Sequence, residues 1–317
     1  MESAKKLVIN LVTWNSARFL PDLFESLDRQ TSDDFTVTVV DNASTDGTLD
    51  WLRDHRPDVA VLRNFRNQGF ARAHNQAIAL ALTRWAGDDP SKELTPSNVE
   101  GLGTNLSRRY VLILNPDIIL HQDCIRELIA FMDAHPRVDM AGPKLLRARR
   151  LPSDIGERED IERTSVIDST GLVLRRSRQA LDRGAGEEDR GQYDAVAPFG
   201  ISGAAMVLRA SAIRDLSLGD EVFDEDFFAY KEDVDLSWRL RILGREAALA
   251  PQAVAWHYRR AKPSDRQGWL AAWKTNRARS PVLRSLSWRN QFWLVCKNDD
   301  FINRLLCLPW LAPGFGL

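Results

Sequence analysis

Apolar residues in the first half of the chain fall in short runs, and the segments between those runs show helical spacing. "KLVINLVT" (6–13) reads as a buried strand bounded by polar residues. Phe19, Leu20, Leu23, Phe24 and Leu27 then recur at the spacing of one helix face. "FTVTVVD" (35–41) predicts a second strand, followed by the turn formers "NASTDGT" and a short helix near 46–55. "VAVLRN" (59–64) predicts a third strand, 70–86 an Ala-rich helix, and 87–107 a polar loop. "YVLILNPD" (110–117) predicts a fourth strand, and "CIRELIAFMDAH" a further helix. Strand alternating with helix predicts an α/β fold with a mostly parallel, doubly wound sheet flanked by helices. From 147 to 195 the chain turns charge-dense, which predicts an exposed insertion with a hairpin around 166–175. Apolar order returns in "FGISGAAMVLR" (199–209), and "KEDVDLSWRLRILG" predicts a helix that starts at Glu232 and stops at Gly244. The remainder reads as a C-terminal helical region.

Composition narrows this picture. Lys plus Arg (43) nearly cancels Asp plus Glu (44) over 317 residues, so no overall field favours nucleic acid. Cys124, Cys296 and Cys307 are few, odd in number and scattered, which argues against a disulfide framework and suits a reducing cytoplasm. The N-terminal apolar run is too short for a signal peptide and breaks at Asn10, Trp14 and Asn15. The apolar C-terminus is interrupted by Lys297, Asp299, Asp300 and Arg304. It can pack on the domain, or rest on a membrane through Trp288, Trp293 and Trp310 as a peripheral contact.

In open α/β sheets, ligands bind at the carboxyl ends of the strands. Four polar clusters lie there: Thr13-Trp14-Asn15, Asp41-Asn42-Ala43-Ser44, Asn67-Gln68-Gly69, and Asn115-Pro116-Asp117. One such cluster is often only a helix cap, but four on one edge point to a common ligand. Each suits part of a nucleotide. Asp41 can accept from a base N–H or ribose hydroxyl, and Asn67 with Gly69 allows close backbone approach at a helix N-terminus facing phosphate. Asn115 and Asp117 are hard oxygen ligands suited to Mg²⁺ or Mn²⁺ on a diphosphate.

The ordered set "VTWN", "DNASTDGT", "NQGFARAHNQA", "LNPD", "GISGAAMVLR" and "FDEDFFAYKEDVDLSWR" resembles the family 2 glycosyltransferases over roughly 6 to 260. The likeness is to the bacterial branch typified by rhamnosyltransferases of cell-wall and O-antigen assembly. It implies a GT-A, Rossmann-like fold, a nucleotide-diphosphate sugar donor (dTDP- or UDP-linked), a divalent cation and inversion at the anomeric carbon. The acceptor it implies is a cell-envelope glycan or lipid-linked precursor. On this likeness residues 1–145 form the nucleotide-sugar half, 146–262 the acceptor half with its insertion, and 263–317 a helical extension. Asp41 becomes the nucleotide-contacting carboxylate, with Thr13 and Asn15 in the same pocket. Asn115 and Asp117 take the place of the family's Asp-x-Asp metal motif, with the first Asp replaced by Asn. His257, at a strand end, is a candidate metal ligand, and Arg259 and Arg260 candidates for diphosphate oxygens.

The acidic-aromatic stretch 223–240 then acquires a purpose. An inverting transfer needs a carboxylate to take the acceptor hydroxyl's proton. By resemblance Asp233 is that base and Glu232 its helper, with Asp224, Glu225, Asp226 and Asp235 as local scaffolding. Gly203 and Ala204 are small enough for backbone to approach the donor sugar. Arg289 and Asn290 form a pair that this branch often carries, without an assigned role. Two alternatives stay open: a sugar nucleotidyltransferase, disfavoured because "TWNSARF" lacks a glycine-rich loop, and a non-catalytic nucleotide-sugar binder.

Overall fold

The inner strands at 7–13 and 110–114 are covered on both faces, so they are nearly continuous apolar runs. The computed structural model describes residues 5–85, 96, 103–151, 160–258 and 281–311. Strands β1 (Leu7–Thr13), β2 (Phe35–Asp41), β3 (Ala60–Arg63) and β4 (Tyr110–Leu114) are parallel, in the spatial order β3-β2-β1-β4. Leu7, Ile9 and Leu11 face helices α1 (Leu20–Asp28), α2 (Thr48–His55) and α4 (Cys124–Ala134). On the opposite face Val8 packs with α3 (Gly69–Trp85), α5 (Ala210–Leu216) and α6 (Glu232–Ile242).

Beyond β4 the sheet becomes mixed. Antiparallel β10 (Ala205–Arg209) joins β4 to β6 (Val138–Leu151), which pairs in parallel with β11 (Glu246–His257). β5 (Ile118–Leu120) closes that edge antiparallel to β11. The boundary expected between 145 and 146 falls inside β6.

The 147–195 segment differs from the exposed insertion its charge suggests. β7 (Asp160–Ser169) pairs with β6, and the hairpin lies at β8 (Leu172–Leu174) and β9 (Ala180–Asp182) rather than around 166–175. Asp168, Ser169, Thr170 and Arg183 are buried. Charge there serves internal bonds: Arg183 donates to the carbonyls of Thr170 (2.7 Å) and Val196 (2.6 Å), and Lys144 pairs with Asp189 and Asp194. Satisfied in this way, charged side chains can be buried.

At the C-terminus, α7 (Pro281–Asn298) and α8 (Phe301–Leu311) follow. α7 is pinned to α6 by Lys297, whose Nζ lies 3.0 Å from Asp235 and 2.6 Å from Asp224. Asp235 also accepts from Arg239 at the expected i,i+4 spacing, 2.9 Å away. Among the described residues no helix is long and apolar enough to cross a membrane.

Candidate active site

The ends of β1 and β2 are knitted together by short polar side chains. Asp41 is fully buried; its Oδ1 accepts from Thr13 Oγ1 (2.8 Å) and Ser44 Oγ (2.5 Å), and its Oδ2 from Ser44 N (2.9 Å). Three of roughly four acceptor positions are thus engaged within the protein. Asp41 therefore organises the turn, and the rim is formed by residues such as exposed Asn15, whose Oδ1 accepts from Thr45 N at 2.8 Å. Asn42 extends the ties to the next loop, donating to Gly69 O (2.9 Å) and accepting from Asn64 Nδ2 (2.9 Å).

The start of α3 departs from expectation. Its first amides do not stand open towards a phosphate: Gly69 N donates to Asn67 Oδ1 (2.8 Å), and Phe70 N to Phe228 O (2.6 Å). Gly69 has φ +84°, and a Cβ there would lie 2.4 Å from Phe228 O, so glycine is required by the Phe228 loop. That packing couples the nucleotide edge to the acid-rich stretch, a link with no signature in the sequence.

After β4, register does the positioning. Pairing of His257 with Ile118 and the Tyr258 N–H to Asp117 O bond (2.9 Å) bring the end of β11 beside Asp117. His257 Nε2 lies 3.4 Å from Asp117 Oδ1, and Nδ1 lies 2.8 Å from Asp168 Oδ2. Burial alone would depress this imidazole, but the two carboxylates outweigh it and hold the pKa at about 10. Asp168, on β7, was not a candidate from the sequence, because it lies in the charge-dense segment. Asn115 shares the same strand end and donates its backbone N–H to Ala204 O (2.9 Å). Arg259 and Arg260 lie outside the described residues.

Asp233 sits on the first turn of α6, with Oδ2 accepting from Gly203 N (2.9 Å) and Oδ1 from Val234 N (2.8 Å). A Cβ on Gly203 would lie 3.4 Å from Asp233 Cβ. Backbone thus runs from Asn115 through Ala204 and Gly203 to Asp233, joining the metal-type cluster to the proposed base. Burial raises the Asp233 pKa against the lowering effect of those amides, and Asp182 on the β8–β9 hairpin adds repulsion. Glu232 is buried more deeply, 6% exposed, with Oε2 lacking a hydrogen-bond partner. Burial, then the Asp233 charge, push its pKa to about 8. The helix dipole, which favours ionised acids here, loses to desolvation. Asp233, less buried than Glu232, is the more accessible acid of the two.

The loop before α6 is strained. Phe228, Tyr230 and Lys231 all have positive φ, and Ala229 N bonds Phe227 O at 2.7 Å in a γ-turn of the rare hand. Each such non-glycine residue costs about 1–2 kcal/mol. Asn290, fully buried on α7, offsets this: the two N–H groups of its Nδ2 are shared among the carbonyls of Phe227 (2.8 Å), Ala229 (2.9 Å) and Tyr230 (2.8 Å). Arg289 adds a bond to Asp226 O at 2.6 Å. These bonds, at about 1 kcal/mol each, are of the right size to hold the loop. The aromatics divide accordingly: Phe227 is core under Lys297, while Phe228 and Tyr230, just before α6, are partly exposed.

Residues 9–87 match the family model described as Glycosyl transferase family 2. N-acetylglucosaminyl-diphospho-decaprenol L-rhamnosyltransferase of Mycobacterium tuberculosis is 28% identical over 262 residues, 80% of this chain and 76% of its own. The PGL/p-HBAD biosynthesis glycosyltransferase of Mycobacterium bovis is 34% identical over 86 residues, 26% of this chain and 34% of its own. Among solved structures, mannosyltransferase PcManGT of Pyrobaculum calidifontis, in complex with GDP-Man and Mn²⁺, aligns with a TM-score of 0.52 at 18% identity. That alignment covers 98% of this chain and 70% of the other. Staphylococcus aureus TarS 1-349 in complex with UDP-GlcNAc aligns at TM-score 0.50 and 18% identity, covering 97% and 70%. Likeness at that identity speaks for the GT-A fold alone, and the sequence relatives add the chemistry class. Its motifs, its GT-A sheet and these relatives make the chain similar to the family 2 glycosyltransferases, whose model it matches over residues 9–87.

Proposed function

We propose that the protein transfers a sugar, L-rhamnose by analogy with the mycobacterial relative, from a nucleotide-diphosphate donor to a hydroxyl of a lipid-linked or cell-envelope glycan on the cytoplasmic side. The observation that carries this reading is the backbone bridge from Asn115 through Ala204 and Gly203 to Asp233, which sets a base-type carboxylate beside a diphosphate-type strand end. The nucleoside would lie over the β1–β3 ends, against Thr13, Asn15, Asp41, Asn67 and Gly69. Asn115, Gly203 and Ala204 would bound the donor sugar.

The residues present fit Mg²⁺ or Mn²⁺. His257 is oriented through Nδ1 by Asp168, the usual support for a metal-binding imidazole, leaving Nε2 towards Asp117. A hard cation of this kind commonly keeps waters and substrate phosphates as ligands, so these few protein donors would share it with the donor diphosphate. When bound, the ion would neutralise charge on the departing diphosphate. Asp117 and His257 would hold it, with Asn115 alongside.

Asp233 would take the proton of the acceptor hydroxyl as that oxygen attacks C1, with inversion in a single displacement. Its raised pKa improves it as a base, and the Gly203 and Val234 amides fix its direction. Glu232, protonated near neutrality, would orient acceptor or base rather than accept the proton. The test is Asp233→Asn with a panel of nucleotide sugars. Turnover is expected to fall by about 10²–10⁴-fold while donor-induced thermal stabilisation persists. Retained turnover would refute the assignment, and a product with the donor's anomeric configuration would refute single displacement.

A further inference from the structure

The two C-terminal helices bury Leu294, Val295 and Cys307 against the domain yet leave a second set of large apolar side chains in water. On α7, Asn290 and Gln291 are buried, whereas Phe292 and Trp293 are 41% and 45% exposed. On α8, Asn303 and Arg304 are half-buried, whereas Phe301, Ile302, Leu305 and Leu306 are 52% to 71% exposed. A helix that packs on a domain in water needs only one apolar side, and exposed aromatic and aliphatic residues in this number mark an interaction surface. The inward-turned polar groups belong to the site: Asn290 and Arg289 hold the Phe227–Tyr230 loop, and Lys297 binds Asp224 and Asp235. One side of α7 therefore carries the loop before Asp233, and its other side presents aromatic rings.

Charge complementarity identifies the occupant. From 259 to 317 the sequence carries eleven Lys and Arg against three Asp and Glu, in a chain whose net charge is −1. A basic segment with Trp, Phe and Leu on an apolar face is the composition of a helix that lies in an anionic bilayer interface. We infer that the outer face of α7–α8 docks on an anionic lipid surface, with Phe292, Trp293, Phe301, Ile302, Leu305 and Leu306 entering the headgroup region. This deepens the proposed function, since it places the acceptor side of Asp233 against the plane from which a lipid-linked acceptor would arrive.

The test is flotation of the full chain with vesicles of equal parts phosphatidylglycerol and phosphatidylethanolamine, and with phosphatidylcholine alone. Binding is expected to the anionic vesicles, weakened by high salt, and reduced at least about tenfold in a Phe301→Glu/Leu306→Glu variant. Both side chains are more than two-thirds exposed, so the variant should melt like the parent. Donor-induced thermal stabilisation, read in parallel, reports on the glycosyltransferase reading independently and should be unchanged. No flotation with anionic vesicles would overturn the inference. So would a dimer in solution that the same variant turns into a monomer, because the face would then be covered by a second copy.

Discussion

Glu232 is buried at the start of α6, with one oxygen unpartnered and a second acid beside it. Its pKa, about 8 when folded against an ordinary 4.5, has a definite sign for stability. As pH rises through 4.5 the unfolded chain releases this proton while the folded protein keeps it, so stability falls from there to pH 8. Glu232→Gln removes the penalty. Its urea midpoint should exceed that of the parent by a margin that widens from pH 5 to pH 8, up to ~1–3 kcal/mol, while transfer activity drops. A constant margin would show that Glu232 ionises normally. Asp233 is also shifted upward, so the acid limb of kcat/KM should lie above the ordinary carboxylate range near 4. Neither shift was legible in the sequence, where the helix dipole and the crowding of acids pull in opposite directions. Burial decided it, and the neighbours that act on Asp233 there, Gly203 and Asp182, are distant in the chain.

At the scale of elements, α7 acts on the site through backbone. Asn290 reaches three carbonyls of the loop before α6, and no other described side chain donates to all three. Asn290→Ala should leave those carbonyls short of partners, costing about 1–3 kcal/mol, and let the loop relax. The expected kinetic signature is a kcat drop of roughly tenfold to a hundredfold with donor KM nearly unchanged. A loss of stability with unaltered kcat would make the residue merely structural. Asp235 gives a contrasting case. It is fully buried between Arg239 and Lys297, so Asp235→Ala should leave Arg239 without its carboxylate and Lys297 with Asp224 alone, and destabilise by about 3–5 kcal/mol, read by chemical denaturation. Helix α6 itself was legible, since Glu232 and Gly244 bracket it as the polar and glycine signals predict. The β7–β9 region was not, because charged residues that bond to buried backbone look identical in sequence to charged residues in solvent.

For the whole molecule, His74 sets the acid limit. It is fully buried among Phe70 and Phe223, and burial depresses its pKa to about 3. Below the unfolded value of 6.5 the unfolded chain gains a proton that the folded protein refuses, so stability falls with pH. His74→Phe should flatten this slope, by up to about 1.4 kcal/mol per pH unit between 6 and 4, in urea titrations. An unchanged slope would place the acid sensitivity elsewhere.

Local rules were enough for much of this protein. Short apolar runs, turn formers and strand-end polar clusters specified the parallel half-sheet and helix α6, because those features depend on near neighbours in the chain. Contacts over long separations decided the rest. Asp168 met His257 only through β7, Phe228 closed over Gly69 only through the loop before α6, and Asn290 found its three carbonyls only after α7 had packed. Hydrogen bonds and desolvation act over a few ångströms of space, whatever the distance along the chain, and so the chemistry of the site was settled by packing.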